Sequence, residues 1–386
     1  MALQLEEVLF CHCEPEKICS IHIRKNDKEE WALPEWKNGR SENAPAVYRL
    51  ARFNANDDKL EIRATIISTN PTKMSKTVQL RVDGGNVFGM SETINMECPP
   101  GTMTYTVFIA FPQAGVLLSE RGIDKQELSL SWEYAENISE AMDLEFIRFH
   151  LSKHQIYTIL DSVHAPWAYV EEQNIDRLGI KIRPTTEVYD ATIDIVRNCK
   201  TPGEAKKAIM MYIYLSERFI YCGNSKISLL RNIFYTKFYR YIIQEVPPEK
   251  LLVNCEDCTA LLVTIANLYG CSLQYIALGS FLKVKKILLI GEKEWRYPNQ
   301  GESGEGYFEY HVVAIDGYYS GNEATTYVYD CCLQYKGNVT NNEMLPIAQP
   351  LSLTNATIDS YKESILDTQS GATCNVIKEG EIWFMQ

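Results

Sequence analysis

Residues 254–270, N-C-E-D-C-T-A-L-L-V-T-I-A-N-L-Y-G, constrain the fold more than any other stretch of this chain. Asn254 is a helix-capping residue type, Glu256 and Asp257 put negative charge in the first turn, and Ala260, Leu261, Leu262, Ile265 and Leu268 recur at helical spacing. Gly270 ends the run, since glycine accepts the left-handed backbone that stops helices. The pattern therefore predicts a buried helix with Cys255 at its first position. Unpaired backbone N–H groups and the positive end of the helix dipole stabilise a thiolate and a developing oxyanion there. A cysteine so placed can act as a nucleophile.

On either side of this helix the periodicity differs. Before about residue 150, short alternating runs at 18–24, 46–53, 60–68, 77–82, 102–111, 128–133 and 144–151 read as strands, divided by turn residues such as Asp83, Gly84 and Gly85. So many strands with turns between them predict a β-sandwich. Residues 152–185 read as a junction: 156–160 can form a strand, and His164 to Trp167 reads as a turn with a buried aromatic. Helices are predicted at 186–198 and 202–218, then a short extended piece at 219–222 and a mostly helical segment at 229–246. After Gly270 the pattern returns to strands at 272–279, 284–290, 307–315 and 325–331, with one or two more at 372–384. The class expected is α+β: a sandwich over residues 1–155, then a domain of helices packed on an antiparallel sheet over residues 156–386.

Composition sets the limits on partners. The chain has 386 residues, enough for two domains with real cores, and its 46% apolar content excludes a disordered chain. The net charge of -12 and the lack of a dense Lys/Arg cluster make nucleic acid and anionic membrane poor partners. No window approaches the roughly 18 apolar residues of a membrane span. The start, M-A-L-Q-L-E-E-V-L-F, is acidic where a signal peptide is basic, so the expected location is cytoplasmic, with non-classical export left open. The N-x-S/T sequons at Asn137, Asn338 and Asn355 carry little weight without a secretory signal.

Twelve cysteines at irregular spacing do not form a disulfide framework in a chain of this size, and most are expected as buried, reduced thiols. The cluster Cys11, His12, Cys13, Cys19 and His22 has zinc-ligand residue types, but it alternates like a strand and has no second knuckle nearby. No metal or cofactor is expected.

A thiol nucleophile needs a base to take its proton and a third group to orient the base. Of six histidines, five lie at or before His164, so the half of the chain that contains Cys255 has only His311. His311 stands within a predicted strand, and the next strand carries Asp330 among apolar and aromatic neighbours. A carboxylate in an interior strand is costly unless paired, and an imidazole on the adjoining strand is an apt partner.

The helix-capped motif N-C-E-D-x-x-A-L-L-x-x-I-A-N-L-Y-G, followed by a strand with His and a second with Asp, resembles the transglutaminase-like superfamily of papain-fold thiol enzymes. The likeness covers roughly residues 185–335, including the helix and Ile-Tyr before the motif, and not the sandwich. It implies Cys255 as nucleophile, His311 as general base and then acid, and Asp330 as the orienting group. Asp257 matches the motif's acidic position and is assigned to helix capping. Val253 stands where the family has a small glycine, and Cys331 where proline often follows the aspartate. For bacterial relatives the resemblance implies hydrolysis of a peptide or protein amide more often than cross-linking, and no calcium-binding loop is evident.

Three other readings stand beside it. The same fold can be catalytically silent and serve as a binding or scaffolding protein, with the sandwich docking a protein partner. Cys255 and Cys258 can form a redox pair, or a reversible disulfide that switches the nucleophile off. Zinc held by Cys255, Cys258, Cys331 and Cys332 is disfavoured, because adjacent strand residues point to opposite faces.

Overall fold

The computed structural model of the chain describes residues 1–11, 20–21, 23–26, 29–31, 35–54, 59–136, 144–164, 167, 183–222, 242, 250–298, 306–317, 319–335 and 356–367. Helices and strands are both abundant, so the class is α+β. The chain divides into two compact units, one of Met1–Ser162 with Arg183–Thr201 and one of Val163–Ile182 with Pro202–Gln386. The expected boundary after residue 155 falls inside a continuous strand, Ile147–Ile159.

Among the described residues the first unit holds nine strands: β1 (Ala2–Leu9), β2 (Trp36–Lys37), β3 (Ala46–Arg49), β4 (Leu60–Asn70), β5 (Lys76–Asp83), β6 (Ile94–Cys98), β7 (Gly101–Phe111), β8 (Asp124–Glu136) and β9 (Ile147–Ile159). They form two sheets, in the orders β2-β1-β4-β7 and β3-β9-β8-β5-β6. Every pairing is antiparallel except β3 with β9. Alternation decides which face is buried: on β4 Leu60, Ile62, Ala64 and Ile66 point inward, and on β8 Leu128, Leu130 and Trp132 do so. The two sheets touch through aromatic side chains, Phe10 meeting His154 edge-on at 4.9 Å and Trp36 meeting His150 at 5.1 Å.

Several local expectations need correction. The described part of 18–24 is not a strand, and Arg24 makes only isolated bridges. The run at 46–53 stops as a strand at Arg49, because Leu50 and Phe53, three apart and both buried, share one side of a 3-10 turn over Leu50–Asn54. A four-residue helix, α1 (Gly85–Phe88), and a longer one, α2 (Ala114–Arg121), occupy links between strands. Helix α2 stops at Gly122, whose φ of +76° and 2.5 Å approach of a would-be Cβ to the Cys199 carbonyl oxygen admit glycine alone. Helix α3 (Thr186–Val196) also belongs to this unit, and Thr185 caps it by accepting the Val188 N–H at 3.2 Å.

The second unit contains α4 (Pro202–Leu215), β10 (Phe219–Tyr221), β11 (Leu251–Val253), α5 (Cys255–Leu268), β12 (Leu273–Val284), β13 (Ile287–Leu289), β14 (Gly306–Asp316), β15 (Val328–Tyr329), β16 (Leu333–Tyr335) and α6 (Ile358–Ile365). Strand β14 sits between β12 and β15 in an antiparallel sheet, β13 pairs with β16, and β10 runs parallel to β11. Helix α5 packs against α4, β12 and β14 and buries every residue except Glu256, so it is the core of the unit. Trp167 is fully buried and donates its indole N–H to the Thr264 carbonyl at 2.7 Å, as expected of the turn that begins at His164. At the far end of α5, Gly270 has φ +86° and the Cys271 N–H reaches back to the Ala266 carbonyl, the six-to-one bond of a Schellman stop.

The predicted segments at 229–246 (apart from Ile242) and 372–384 lie outside the described residues, as do His12, Cys13, Cys19 and His22. Among the described residues no helix is long and apolar enough to cross a membrane.

Candidate active site

Cys255 is placed by the cap that the sequence encodes. Asn254 is extended and accepts the Asp257 N–H at 2.9 Å, while the Asp257 carboxylate accepts the Asn254 N–H at 3.1 Å. This reciprocal capping box turns Asp257 toward the backbone and leaves Cys255 as the first helical residue. The Asp257 N–H is taken by the cap and the Cys258 N–H by the Asn254 carbonyl, whereas Cys255 N–H belongs to the orphan donors of a helix start. One turn on, Thr259 donates to the Val312 carbonyl at 3.0 Å and binds α5 to β14. That contact brings Cys255 beside the residues around 310, its Sγ lying 4.0 Å from the Tyr310 carbonyl oxygen. Cys255 itself is 3% exposed.

His311 lies on β14 and is fully buried. Its ring stacks on Phe308 with centroids 4.7 Å apart and planes 12° from parallel. Nε2 is 3.0 Å from Asp330 Oδ2 and 2.9 Å from the Tyr361 hydroxyl. Nδ1, the other ring nitrogen, is buried and makes no hydrogen bond. An Nε2–H donated toward Asp330 and Tyr361 leaves Nδ1 as the basic nitrogen. Burial by itself lowers the affinity of His311 for a second proton, but the Asp330 carboxylate and then Cys255 outweigh it, and the pKa rises to about 10.

Asp330 directly follows β15. Its Oδ1 accepts the Cys332 N–H at 2.7 Å, which bends the chain at 331–332, and its Oδ2 also accepts the Tyr361 hydroxyl. The strand predicted at 325–331 is reduced to Val328–Tyr329, preceded by a turn at 323–325 and ended by this bend. Cys331 and Cys332 do not alternate across a sheet; both interact with Cys258, and Cys331 Sγ–H donates to the Cys258 carbonyl at 3.3 Å. Burial raises the pKa of all three thiols, Cys332 to about 12, so they are protonated at neutral pH. Cys255, Cys258, Cys331 and Cys332 are free thiols. Among the described residues no group of three or more His, Cys, Asp or Glu could hold a metal ion.

The structure thus brings His311 and Asp330 into direct contact and sets Cys255 next to them. Among the described residues Tyr221 and Tyr361 also border the site, and the sequence pointed to neither as a site residue. Tyr221, from β10, is 6.4 Å edge-on from Phe308, and the neighbouring Cys255 helps burial to raise its pKa. Tyr361, from α6, reaches both His311 and Asp330. Behind the site, the buried Lys206 of α4 binds Asp316 at 2.5 Å and the Tyr329 hydroxyl at 2.9 Å, fastening α4 to the ends of β14 and β15.

No known family model matches the sequence, and no curated protein matches it. Solved structures that resemble part of the chain include a protein from Archaeoglobus fulgidus, 14% identical over 28% of this chain and 90% of that one, with a TM-score of 0.19. Another is described as a late embryogenesis abundant (LEA) protein, 14% identical over 26% of this chain and 62% of that one, again at a TM-score of 0.19. At that level of similarity neither bears on the fold or the function of this chain.

Proposed function

We propose that this chain is a thiol enzyme, a β-sandwich followed by a transglutaminase-like, papain-fold domain that transfers or hydrolyses the acyl group of a peptide or protein amide. The observation that carries the reading is the hydrogen-bonding of His311: Nε2 is held by Asp330 at 3.0 Å, while Nδ1 is left without a partner in a buried site that also contains a helix-capped cysteine. In this reading the Cys255 thiol proton has already passed to His311 Nδ1 in the resting enzyme, S–H broken and N–H formed, as the raised proton affinity of the imidazole favours, and the thiolate of this pair attacks the amide carbonyl carbon. The oxyanion meets the Cys255 N–H and the positive end of α5. Collapse breaks the C–N bond, and the leaving nitrogen takes the proton from His311. Water, or an amine, then gives a proton to Nδ1 and attacks the thioester, and breaking of the C–S bond releases the product and restores the thiolate beside the imidazolium. Asp330 keeps Nε2 protonated throughout, so that Nδ1 alone exchanges protons with the reactants.

The experiment is the pH dependence of iodoacetamide labelling, read site by site in the wild type and in His311→Ala. The expected result is that Cys255 reacts fast well below the roughly pH 8.5 midpoint of a free thiol, and that the substitution abolishes this. Labelling of Cys255 no faster than that of the other cysteines would sink the reading. One observation favours the alternative of a catalytically silent binding or scaffolding protein: Cys255 is 3% exposed. Uniformly slow labelling is the result that reading expects. In both readings the sandwich serves to dock or space a protein partner.

A further inference from the structure

Tyr361 lies well along the chain from Cys255, His311 and Asp330, on a short helix that the sequence pattern does not advertise. Its position is nonetheless built. The Val328 N–H donates to the Ala356 carbonyl and the Ile358 N–H to the Thr326 carbonyl, so the start of α6 is stitched to the strand that delivers Asp330. At the other end of α6 the Lys285 N–H donates to the Ile365 carbonyl, and Leu366 forms a bridge with Val284. Ile358, Tyr361 and Ile365 face inward along α6, and Tyr361 is fully buried. Its ring is parallel to the His311 imidazole within 1°, with centroids 6.3 Å apart, which is the arrangement of two groups meeting edge to edge through hydrogen bonds.

We propose that Tyr361 is a positioning residue of the Cys255–His311–Asp330 centre, its hydroxyl donating to Asp330 and receiving the His311 Nε2–H, so that the imidazole is fixed with Nδ1 toward Cys255 and the pull of Asp330 on the imidazolium is moderated. The proposal rests on the thiol-enzyme reading for its purpose. Its chemistry is carried by the site itself. A phenol buried beside a carboxylate stays protonated, so the O–H is a permanent donor and Asp330 Oδ2 is the acceptor. The one hydroxyl hydrogen is used on Asp330, which leaves the oxygen lone pairs to accept from Nε2. The carboxylate therefore shares its negative charge between two donors on Oδ2 and the Cys332 N–H on Oδ1. Each shared hydrogen bond weakens the attraction of the carboxylate for the imidazolium. A centre that must both take and return a proton works best when the base does not hold it too tightly. Tyr361 is placed to set that balance.

The test is the protonation midpoint of His311, followed by NMR of labelled histidine in the full chain carrying Cys255→Ser, so that titration of the thiol does not intrude. Tyr361→Phe keeps the ring and its packing and removes the hydroxyl, both the donor to Asp330 and a second acceptor of the Nε2–H, which keeps Asp330 Oδ2 as its acceptor, so the freed carboxylate dominates. The expected result is an upward move of the midpoint by about one pH unit, the scale of a hydrogen bond to a charged group. Fluorotyrosine incorporated at the same position is a stronger donor, and with it the midpoint is expected to move downward. A midpoint unchanged in both proteins would overturn the proposal and leave Tyr361 a packing residue. If Tyr361→Phe does not fold, the fluorotyrosine protein decides alone, an unmoved midpoint again refuting the role. Labelling of Cys255 in the wild type is a separate readout: it tests the thiol-enzyme reading, whereas the His311 midpoint tests Tyr361.

Discussion

Mild acid should loosen the first unit through a single buried imidazole. His154 lies on β9 facing inward, and its Nε2 is 2.7 Å from the Ser152 hydroxyl oxygen, which accepts the Trp132 indole N–H at 3.0 Å. Its Nδ1 is buried with no hydrogen-bond partner. The imidazolium would carry a hydrogen on both nitrogens, and one would have no acceptor. Burial, aided by nearby His150, lowers the pKa from 6.5 to about 3. A depressed histidine contributes its full stability above pH 6.5, and that stability is lost progressively as the pH falls toward the folded value. The linkage relation gives a loss of about 2 kcal/mol at pH 5 for this group. Glu35 works in the opposite sense, since burial raises its pKa and its protonation favours the folded state. The comparison of wild type with His154→Leu isolates the histidine. Hydrogen exchange read by mass spectrometry in the full chain, with intrinsic rates corrected for pH, reports the opening free energy of β8 and β9 directly. The expectation is a fall of protection from pH 7 to pH 5 in the wild type and a smaller fall in the variant, where burial still lowers the pKa of His150. Equal pH dependence in the two proteins would refute the reasoning.

The second unit should show other sensitivities. Asp330→Asn removes the largest influence holding a proton on His311, so its midpoint should drop from about 10 to below the ordinary 6.5, as an NMR titration would register. Asn254→Ala deletes the side-chain half of the capping box and should cost about 1 kcal/mol in a denaturant titration while slowing Cys255 alkylation at neutral pH. Gly291 has φ +75°, and a Cβ there would lie 2.2 Å from the Phe219 carbonyl oxygen, so Gly291→Ala should lower the melting temperature sharply, with a loss of more than about 2 kcal/mol. Lys206→Met strips a buried cation from Asp316 and Tyr329 and should cost about 1–3 kcal/mol, whereas a surface-pair substitution such as Lys59→Met, which faces Glu92, should change the same unfolding curve by less than about 1 kcal/mol.

What could be read in advance follows the range over which each feature is encoded. The cap, start and stop of α5 are written within residues 254–270, where Asn254, Asp257 and Gly270 each act on backbone groups a few residues away. His311 could be singled out because its half of the chain offers no other histidine, and Asp330 because a carboxylate between apolar residues needs a partner. Periodicity failed where a side chain overrides it. Asp330 Oδ1 seizes the Cys332 N–H and bends the strand, so Cys331 and Cys332 both turn to Cys258, and the alternation argument that set them on opposite faces does not apply. Strand β1 alternates well enough, with Leu3 and Leu5 buried, but its register is set by β2 and β4, both farther along the chain. Tyr361 is the sharper case. The chain has 23 tyrosines, and nothing local marks this one, since what distinguishes it is the meeting of α6 with the end of β15. The parts of a site that carry reactive atoms thus leave a trace in residue type, whereas the part that tunes them is specified by where two distant backbone segments are tied together. A search for Cys, His and Asp in order finds the former and will miss the latter, which is why a conservative change at Tyr361, silent to any motif, is expected to move the titration of His311.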